Sequence, residues 1–156
     1  MVQISLNGSN EVAIIDDCDF AIISPYRWNV NFGRYAGAWI NGKQVLLHRF
    51  VMGAKEGDEV DHIHNENTFD CRHENLRLCT HSQNIANDGP KSNNKLGVKG
   101  VDLVKTTGRF RATIRKDYKK IHIGIFGTLK EAAEAYNLAS LKYFGEFGYQ
   151  NDLEAL

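Results

Sequence analysis

Hydrophobic and polar positions alternate in short runs over the first third of the chain, as is typical of β-strands that bury one face. Two pairs of such runs flank the dipeptides Asn7-Gly8 and Asn41-Gly42. Asn-Gly suits the two positive-φ positions of a tight turn, so the pattern predicts two β-hairpins. The predicted strands cover residues 2–6, 11–15, 35–40 and 43–48. The aromatic residues expected to fill a small core here are Trp28, Phe32, Tyr35 and Trp39.

The middle of the chain predicts a strand, a loop, a second strand and a helix. Short apolar runs at Val60–Ile63 and around Leu76–Leu78 are separated by a polar loop. The segment Thr80–Gln83 has the T-x-x-Q pattern of a capping box, which predicts a helix over residues 81–87. Asn84 then lies on the first turns of that helix, able to face the preceding strand.

The last part of the chain predicts three strands followed by one helix. The candidate strands are Lys99–Leu103, Arg109–Lys116 and Lys119–Phe126. The second of them alternates three apolar residues with three arginines and a threonine, which indicates one apolar face and one basic face. A second capping box joins Thr128 to Glu131, and apolar residues then recur at helical spacing until Gly145. We expect this helix to pack on the apolar face of the sheet.

These elements together predict an α+β fold. N-terminal β-hairpins lead into a strand–strand–helix unit, and a three-stranded antiparallel sheet packed on one helix follows. We expect residues 1–90 to form one domain, with a β-hairpin part at 1–58 and the strand–strand–helix unit at 59–90. Turn-forming and polar residues without apolar periodicity indicate a linker at 91–95. The second domain is expected at 96–156.

The charge is divided along the chain, although the formal net charge is zero. Residues 1–90 hold 7 Lys or Arg and 12 Asp or Glu, a balance of −5, and residues 91–156 hold 12 and 7, a balance of +5. Between Lys91 and Phe126 there are 10 basic residues and only two acidic ones. Such a basic segment is typical of proteins that bind a phosphate backbone, so it predicts a nucleic-acid partner.

Composition indicates which class of protein and which cellular compartment to expect. The hydrophobic fraction is 42% and the charged fraction 24%, as in ordinary globular proteins. Three cysteines are an odd number and include no C-x-x-C pair, which fits a reducing environment rather than a disulfide framework. No apolar run reaches membrane-spanning length, and no signal peptide is recognisable. We therefore expect a protein without a membrane partner, in the cytoplasm of a bacterium or a phage-infected host cell.

Four residues within the middle segment offer the chemistry of phosphodiester hydrolysis: Asp61, His62, Asn75 and Asn84. That reaction needs an activated water and a cation that neutralises charge on the phosphate and the leaving oxygen. Mg²⁺ (or Mn²⁺) prefers oxygen ligands, so we expect Asp61 and Asn84 to hold it. His62 is then the candidate general base, and Asn75 would orient its ring directly or through the backbone. Neighbouring side chains on a strand point to opposite faces, so Asp61 and His62 must lie where the strand bends or ends.

Residues 60–87 resemble the HNH endonuclease motif, the ββα-metal hairpin. The resemblance rests on the pieces V-D-H, E-N-L-R and S-Q-N-x-x-N, preceded by Leu47-His48-Arg49, and it is strongest to phage and intron-encoded homing enzymes. In that family the first histidine activates water, the asparagine of N-L-R organises the loop, and the third position binds the metal. The resemblance implies these roles for His62, Asn75 and Asn84, with Asp61 as the carboxylate ligand. It also implies 5′-phosphate and 3′-hydroxyl products.

Residues 96–152 resemble the apetala-two DNA-binding domain of plant ethylene-response factors, which also occurs fused to phage HNH endonucleases. The resemblance runs through V-K-G-V, G-R-F-R-A-T-I-R and the helix E-A-A-E-A-Y-N-L-A. In that family a three-stranded sheet lies in the major groove of double-stranded DNA. Arginine suits bidentate contacts to guanine, whereas lysine mostly contributes charge. The residues expected to contact DNA are Lys99, Arg109, Arg111 and Arg115, with Lys119, Lys120 and His122 as weaker candidates.

The leading hypothesis is a site-specific, divalent-metal-dependent HNH endonuclease of homing type, a monomer on an asymmetric target or a homodimer on a palindrome. One alternative is a DNA-binding regulator with an inactive HNH hairpin, which would bind tightly without cleaving. Another is a zinc-dependent RNA-binding module. The residues Cys71, His73, Cys79 and His81 form C-x-H-x5-C-x-H, which has the ligand types for zinc. Each pair is spaced more tightly than is usual, so we do not expect structural zinc.

Overall fold

The computed structural model describes residues 1–156, which form two compact units, Met1–Thr80 and His81–Leu156. Each unit has its own hydrophobic core and combines antiparallel β-structure with helices. The predicted α+β class is confirmed. None of the helices combines the length and the apolar character needed to span a membrane.

The first unit contains three sheets of two, three and two strands, paired β1-β2, β3-β4-β5 and β6-β7. Its strands are β1 (Val2–Ser5), β2 (Val12–Ile15), β3 (Asn29–Asn31), β4 (Tyr35–Ile40), β5 (Lys43–Leu46), β6 (Glu59–His62) and β7 (Leu76–Cys79). Its helices are α1 (Phe20–Ile23) and α2 (Leu47–Val51), and short 3-10 turns cover Asp17–Asp19 and His73–Asn75.

Both predicted hairpins form, but the first is closed by a loop at residues 6–11 in which Gly8 and not Asn7 has a positive φ, and the second ends earlier than expected. Asn41 and Gly42 join β4 to β5 with φ angles of 51° and 73°, as an Asn-Gly hairpin turn requires. The strand predicted to reach His48 instead ends at Leu46, and α2 begins at the next residue. Three residues of α2 are buried, Leu47, His48 and Val51, at a spacing that places them on one side of a helix. Burial in the core of this unit therefore decides the conformation of the segment.

The core of the first unit uses only part of the expected aromatic set. Trp28 is 3% exposed and packs with aliphatic residues from several elements, including Ile15, Ile23 and Leu47. Trp39 and Phe32 are 71% and 82% exposed, so their prediction as core residues is wrong. On β4 the small residues before Trp39 are buried and Trp39 points outward, while Phe32 is in a tight turn.

The second unit follows the predicted order of strands and helix closely. It contains α3 (His81–Asn87), β8 (Val101–Val104), β9 (Arg109–Lys116), β10 (Lys119–Phe126) and α4 (Leu129–Phe144). The strands form one antiparallel sheet in the order β10-β9-β8, and a bulge lies in β10 between His122 and Gly124. The Thr128–Glu131 capping box is present at the start of α4, and Gly145 follows its last residue with a φ of 57°.

Small residues let α4 lie close to the sheet. Ala132 and Ala133 are fully buried against Ala112 of β9 in the core of this unit. Gly100 is also required for this packing, because a Cβ atom there would lie 2.1 Å from the ring of Tyr136. The apolar face of the sheet is thus covered, and the basic face of β9 is on the other side.

Candidate active site

The β6–β7 hairpin brings Asp61 and His62 to the end of a strand. In the antiparallel register Asp61 is opposite Arg77 and His62 is opposite Leu76. His62 is the last residue of β6, as the sequence required of two neighbouring side chains that must act together. Both residues are buried, at 5% and 4% exposure, although both are polar.

The imidazole of His62 is surrounded by rings and by a thiol. The ring of Tyr35 stacks on it with centroids 6.2 Å apart, and the ring of His48 meets it edge-on at 4.9 Å. The Sγ atom of Cys71 lies 3.9 Å from Nε2 of His62. A backbone hydrogen bond at Thr68 adds a fourth partner. These contacts hold the ring in one orientation and separate most of it from solvent.

Burial lowers the pKa of His62 from 6.5 to about 4. Of the nearby groups, the Asp70 carboxylate and the backbone bond at Thr68 raise it, and the Arg34 guanidinium lowers it. The ring is therefore neutral at neutral pH. A neutral imidazole can accept a proton, as a general base must, although a pKa this low makes it a weaker base than free imidazole.

Asn75 holds the loop between β6 and β7 through three hydrogen bonds. Its side-chain Oδ1 accepts a bond from the backbone N–H of His64 at 2.8 Å, and its Nδ2 donates to the carbonyl of Asp70 at 2.9 Å. Its own carbonyl accepts from the N–H of Ile63 at 2.8 Å. Asn75 is 2% exposed. These three contacts are to loop backbone, so Asn75 can act on His62 by fixing the chain that follows it.

Asp61 is bound by the arginine opposite it in the hairpin. Its Oδ2 accepts hydrogen bonds from Nε of Arg77 at 3.0 Å and from Nη2 at 2.8 Å. This pairing orients the carboxylate but also places a positive charge beside it. Asn84, the other expected metal ligand, lies half-buried on α3 in the second unit. The donors that these two residues offer, a carboxylate and a carboxamide oxygen, are of the type that Mg²⁺ and Mn²⁺ bind.

His48 contributes a second buried imidazole to the surroundings of His62. Burial, together with the charges of His62 and Arg49, lowers the pKa of His48 to about 3. Its Nδ1 atom is buried without a hydrogen-bond partner. The L-H-R piece of the sequence indicates this residue. The contacts that Tyr35 and Thr68 make with His62 are not predictable from sequence, because nothing in their spacing marks them as its neighbours.

The two cysteines of the C-x-H-x5-C-x-H pattern are directed to different partners. Cys71 is buried beside His62, and burial raises the pKa of its thiol to about 12. The Sγ atom of Cys79 donates to the carbonyl of Glu59 at 3.8 Å, and burial raises the pKa of that thiol to about 11. The raised pKa values disfavour the thiolate, which is the form that zinc binds. His73 lies next to Asp19.

The outward face of the β8–β9–β10 sheet collects several of the residues expected to contact DNA. Register places Arg115 opposite Lys120 and Thr113 opposite His122. A shallow groove of about 410 Å³ lies along this face. Its lining residues are Arg111, Thr113, Lys120, His122 and Ile125. This face is basic and exposed, and its groove can accept a phosphate backbone.

Three of the expected DNA contacts, Arg111 among them, are engaged with other groups of the second unit. Lys99 donates from Nζ to the carbonyls of Ile85 and Ala86, the last turn of α3, and burial lowers its pKa to about 8. Arg109 donates to the carbonyl of Ile125 at 3.2 Å. Arg111 forms an ion pair with Asp102 on β8. The remaining candidate, Lys119, is exposed at the start of β10.

Comparison with known proteins shows which protein family the sequence resembles. The sequence profile of the HNH endonucleases matches residues 42–86, a range that includes Asp61, His62, Asn75 and Asn84. An uncharacterized HNH endonuclease of Acanthamoeba polyphaga mimivirus is 31% identical over 153 residues, which cover 94% of this chain and 78% of the viral protein. No solved structure matches the chain. The profile match ends before residue 96, so the likeness of 96–152 to an apetala-two domain stays a prediction.

Proposed function

This chain belongs to the HNH endonuclease family, and on that premise we propose that it is a site-specific, divalent-metal-dependent endonuclease of homing type acting on double-stranded DNA. The observation that carries the proposal is the neutral His62 imidazole at the end of β6, next to the Asp61 carboxylate and inside the region of the family match. A base and a metal ligand adjacent in the chain are the two groups that phosphodiester hydrolysis needs from a protein.

In the proposed reaction His62 removes a proton from the attacking water. The water oxygen then bonds to phosphorus, the bond between phosphorus and the 3′ oxygen breaks, and the departing 3′ oxygen takes a proton from solvent water, leaving 5′-phosphate and 3′-hydroxyl ends. The rings of Tyr35 and His48 hold the imidazole in place. General-base catalysis of this kind contributes roughly 10²- to 10⁴-fold to the rate.

The resemblance of residues 60–87 to the HNH motif supports Asp61 and Asn84 as the ligands of the cation, Mg²⁺ or Mn²⁺. Their oxygen donors fit such an ion, and Arg77 keeps the Asp61 carboxylate in a fixed orientation. When bound, the cation supplies positive charge that stabilises the phosphate and the leaving oxygen. Asn75 positions the loop that follows His62.

We propose that the outward face of the β8–β9–β10 sheet binds the DNA. The basic composition of this face and its groove support the proposal. Arg115 and Lys120 are exposed there and can reach phosphates or base edges. Arg111 is held by Asp102, so we expect it to contribute less than Arg115 unless DNA displaces the carboxylate.

The test is metal-dependent cleavage of plasmid and phage DNA. The wild-type protein should cut with Mg²⁺ and not with EDTA, and Asn84→Ala should lower the rate by about 100-fold or more by removing a metal ligand. Ile85→Ala is the matched control, because it changes an exposed neighbour on the same helix and should leave the rate unchanged. Retarded migration of duplex DNA without any cleavage in Mg²⁺ or Mn²⁺ would favour the alternative, a DNA-binding regulator with an inactive hairpin.

A further inference from the structure

Cys18, Asp19 and His73 meet on the first unit, at residues that the proposed cleavage reaction does not use. Cys18 and Asp19 belong to the 3-10 turn Asp17–Asp19, and His73 begins the 3-10 turn that leads to β7. A sulfur, a carboxylate oxygen and a ring nitrogen from these three residues lie within 4.8 Å of one another. Chain segments more than fifty residues apart thus converge on one point with three different ligand types.

The carboxylate of Asp19 is buried, although one of its oxygen atoms accepts no hydrogen bond. Asp19 is 7% exposed, and its Oδ2 atom has no hydrogen-bond partner. This oxygen lies within ion-pair distance of the His73 ring, 3.0 Å from Nε2, but accepts no hydrogen bond. A buried carboxylate oxygen that accepts no hydrogen bond is costly, and native proteins nearly always supply such atoms with a donor or an ion.

We propose that Cys18, Asp19 and His73 bind a transition-metal ion of the zinc type. Zinc takes thiolate, imidazole and carboxylate ligands at about 2.0–2.3 Å, so ligand atoms around one tetrahedral ion lie roughly 3–4 Å apart. The spacing of these three atoms is close to that range and needs only small side-chain movements. Cys18 and His73 are exposed, which leaves a path for the ion and room for water as a fourth ligand.

The ligand types separate this site from the one proposed for cleavage. A thiolate and an imidazole select zinc-like ions, whereas Asp61 and Asn84 offer only oxygens, which suit magnesium. The metal displaces the thiol proton of Cys18 on binding. Mg²⁺ should therefore not compete for the Cys18 site.

The proposed metal would join two turns that already touch. Asp16, at the start of the first turn, accepts a hydrogen bond from the backbone N–H of His73 at 2.9 Å. Asn75, which holds the loop after His62, is two residues beyond His73. A metal ion linking Cys18 and Asp19 to His73 would fix the start of that turn and stabilise the folded first unit.

Cobalt binding provides the direct test, because a thiolate ligand gives Co²⁺ a charge-transfer absorption. Metal-free, reduced full-length protein is titrated with Co²⁺ and then with Zn²⁺, in excess Mg²⁺ and without DNA. We expect one Co²⁺ per chain with this absorption, and its loss when Zn²⁺ replaces Co²⁺. Cys18→Ser should abolish the absorption and weaken Zn²⁺ binding by about tenfold or more, and Asp19→Asn or His73→Gln should weaken it similarly. Cys79→Ser, which removes a thiol elsewhere, should leave both unchanged.

Protection of Cys18 from alkylation is a second readout that needs no variant. Zn²⁺ should slow the modification of Cys18 in the wild-type protein, and EDTA should restore it. The melting temperature should rise with Zn²⁺ by roughly 5 °C. The proposal is overturned if no stoichiometric Co²⁺ binds, if the absorption survives Cys18→Ser, or if Asp19→Asn and His73→Gln both bind Zn²⁺ as the wild type does. None of these results depends on whether the protein cleaves DNA.

Discussion

Two imidazoles, those of His62 and His48, lie in contact in the first unit with their ring centroids 4.9 Å apart. Burial is the largest cause of the low pKa of each, at about 4 and about 3, and the charge of His62 lowers the pKa of His48 further. Both are therefore neutral in the folded protein at neutral pH. Protonating either ring would place a charge in a region that solvent hardly reaches, next to a second ring that can also become charged.

This pair predicts that stability falls in mild acid. Well above pH 6.5 neither histidine binds a proton in the folded or the unfolded chain. As the pH falls from 6.5 toward 4, the unfolded chain takes up protons at both residues and the folded protein does not, so the free energy of unfolding decreases by about 1.4 kcal/mol per pH unit for each. His48→Gln should halve this pH-dependent decrease in the free energy of unfolding, as measured by urea unfolding at about pH 7 and about pH 5. An unchanged pH dependence in the variant would contradict the low pKa of His48.

At the scale of elements, local patterns predicted the second unit better than the first. The bounds of β9, β10 and α3 agree with the prediction, because alternation and helical spacing coincide there with turn residues and capping boxes. α2 was missed, because five residues are too few to show a helical period and burial decides their conformation. Trp39 was misplaced for a related reason: an apolar residue on a strand can lie on either face.

The loop between β6 and β7 should depend on Asn75. Asn75→Ala would leave the N–H of His64 and the carbonyl of Asp70 without partners, so we expect a loss of about 2–4 kcal/mol in the free energy of unfolding. Asn67→Ala is a suitable control, since Asn67 is exposed in the same loop and its Oδ1 accepts one bond from the N–H of Phe69. Equal losses in the two variants, measured by denaturant unfolding, would show that Asn75 does not organise the loop.

The β8–β9–β10 sheet predicts a salt-dependent DNA contact. Arg115→Ala should weaken binding to duplex DNA and reduce the slope of log affinity against log salt by about 1, because one phosphate contact is lost. Lys130→Ala removes an equal charge from the exposed surface of α4, away from the sheet, and should have a smaller effect. Electrophoretic mobility shift at several salt concentrations distinguishes the two. Indistinguishable slopes for these variants would argue against this face as the DNA-binding surface.

At the scale of the whole molecule, the residues proposed for cleavage and for DNA binding lie largely in different parts of the chain. Residues 1–90 carry a balance of −5 and residues 91–156 a balance of +5. An acidic region suits cation binding and a basic region suits DNA binding. The distribution of charge therefore matches the roles proposed for the two parts of the chain. The adjacent pair Asp61 and His62 could be predicted from sequence because its members are neighbours in the chain. The partners that make His62 neutral and fixed, Tyr35 and His48, come from other elements and could not.

The rate of DNA cleavage by His62→Ala, with and without added imidazole, tests the role of His62 most directly. Mg²⁺-dependent cleavage should fall by about 100-fold or more, DNA binding should stay as in the wild type, and free imidazole should restore part of the rate. His64→Ala, an exposed histidine of the same loop, should cleave normally. A His62→Ala variant that cleaves within about twofold of the wild-type rate would contradict the assignment of the base.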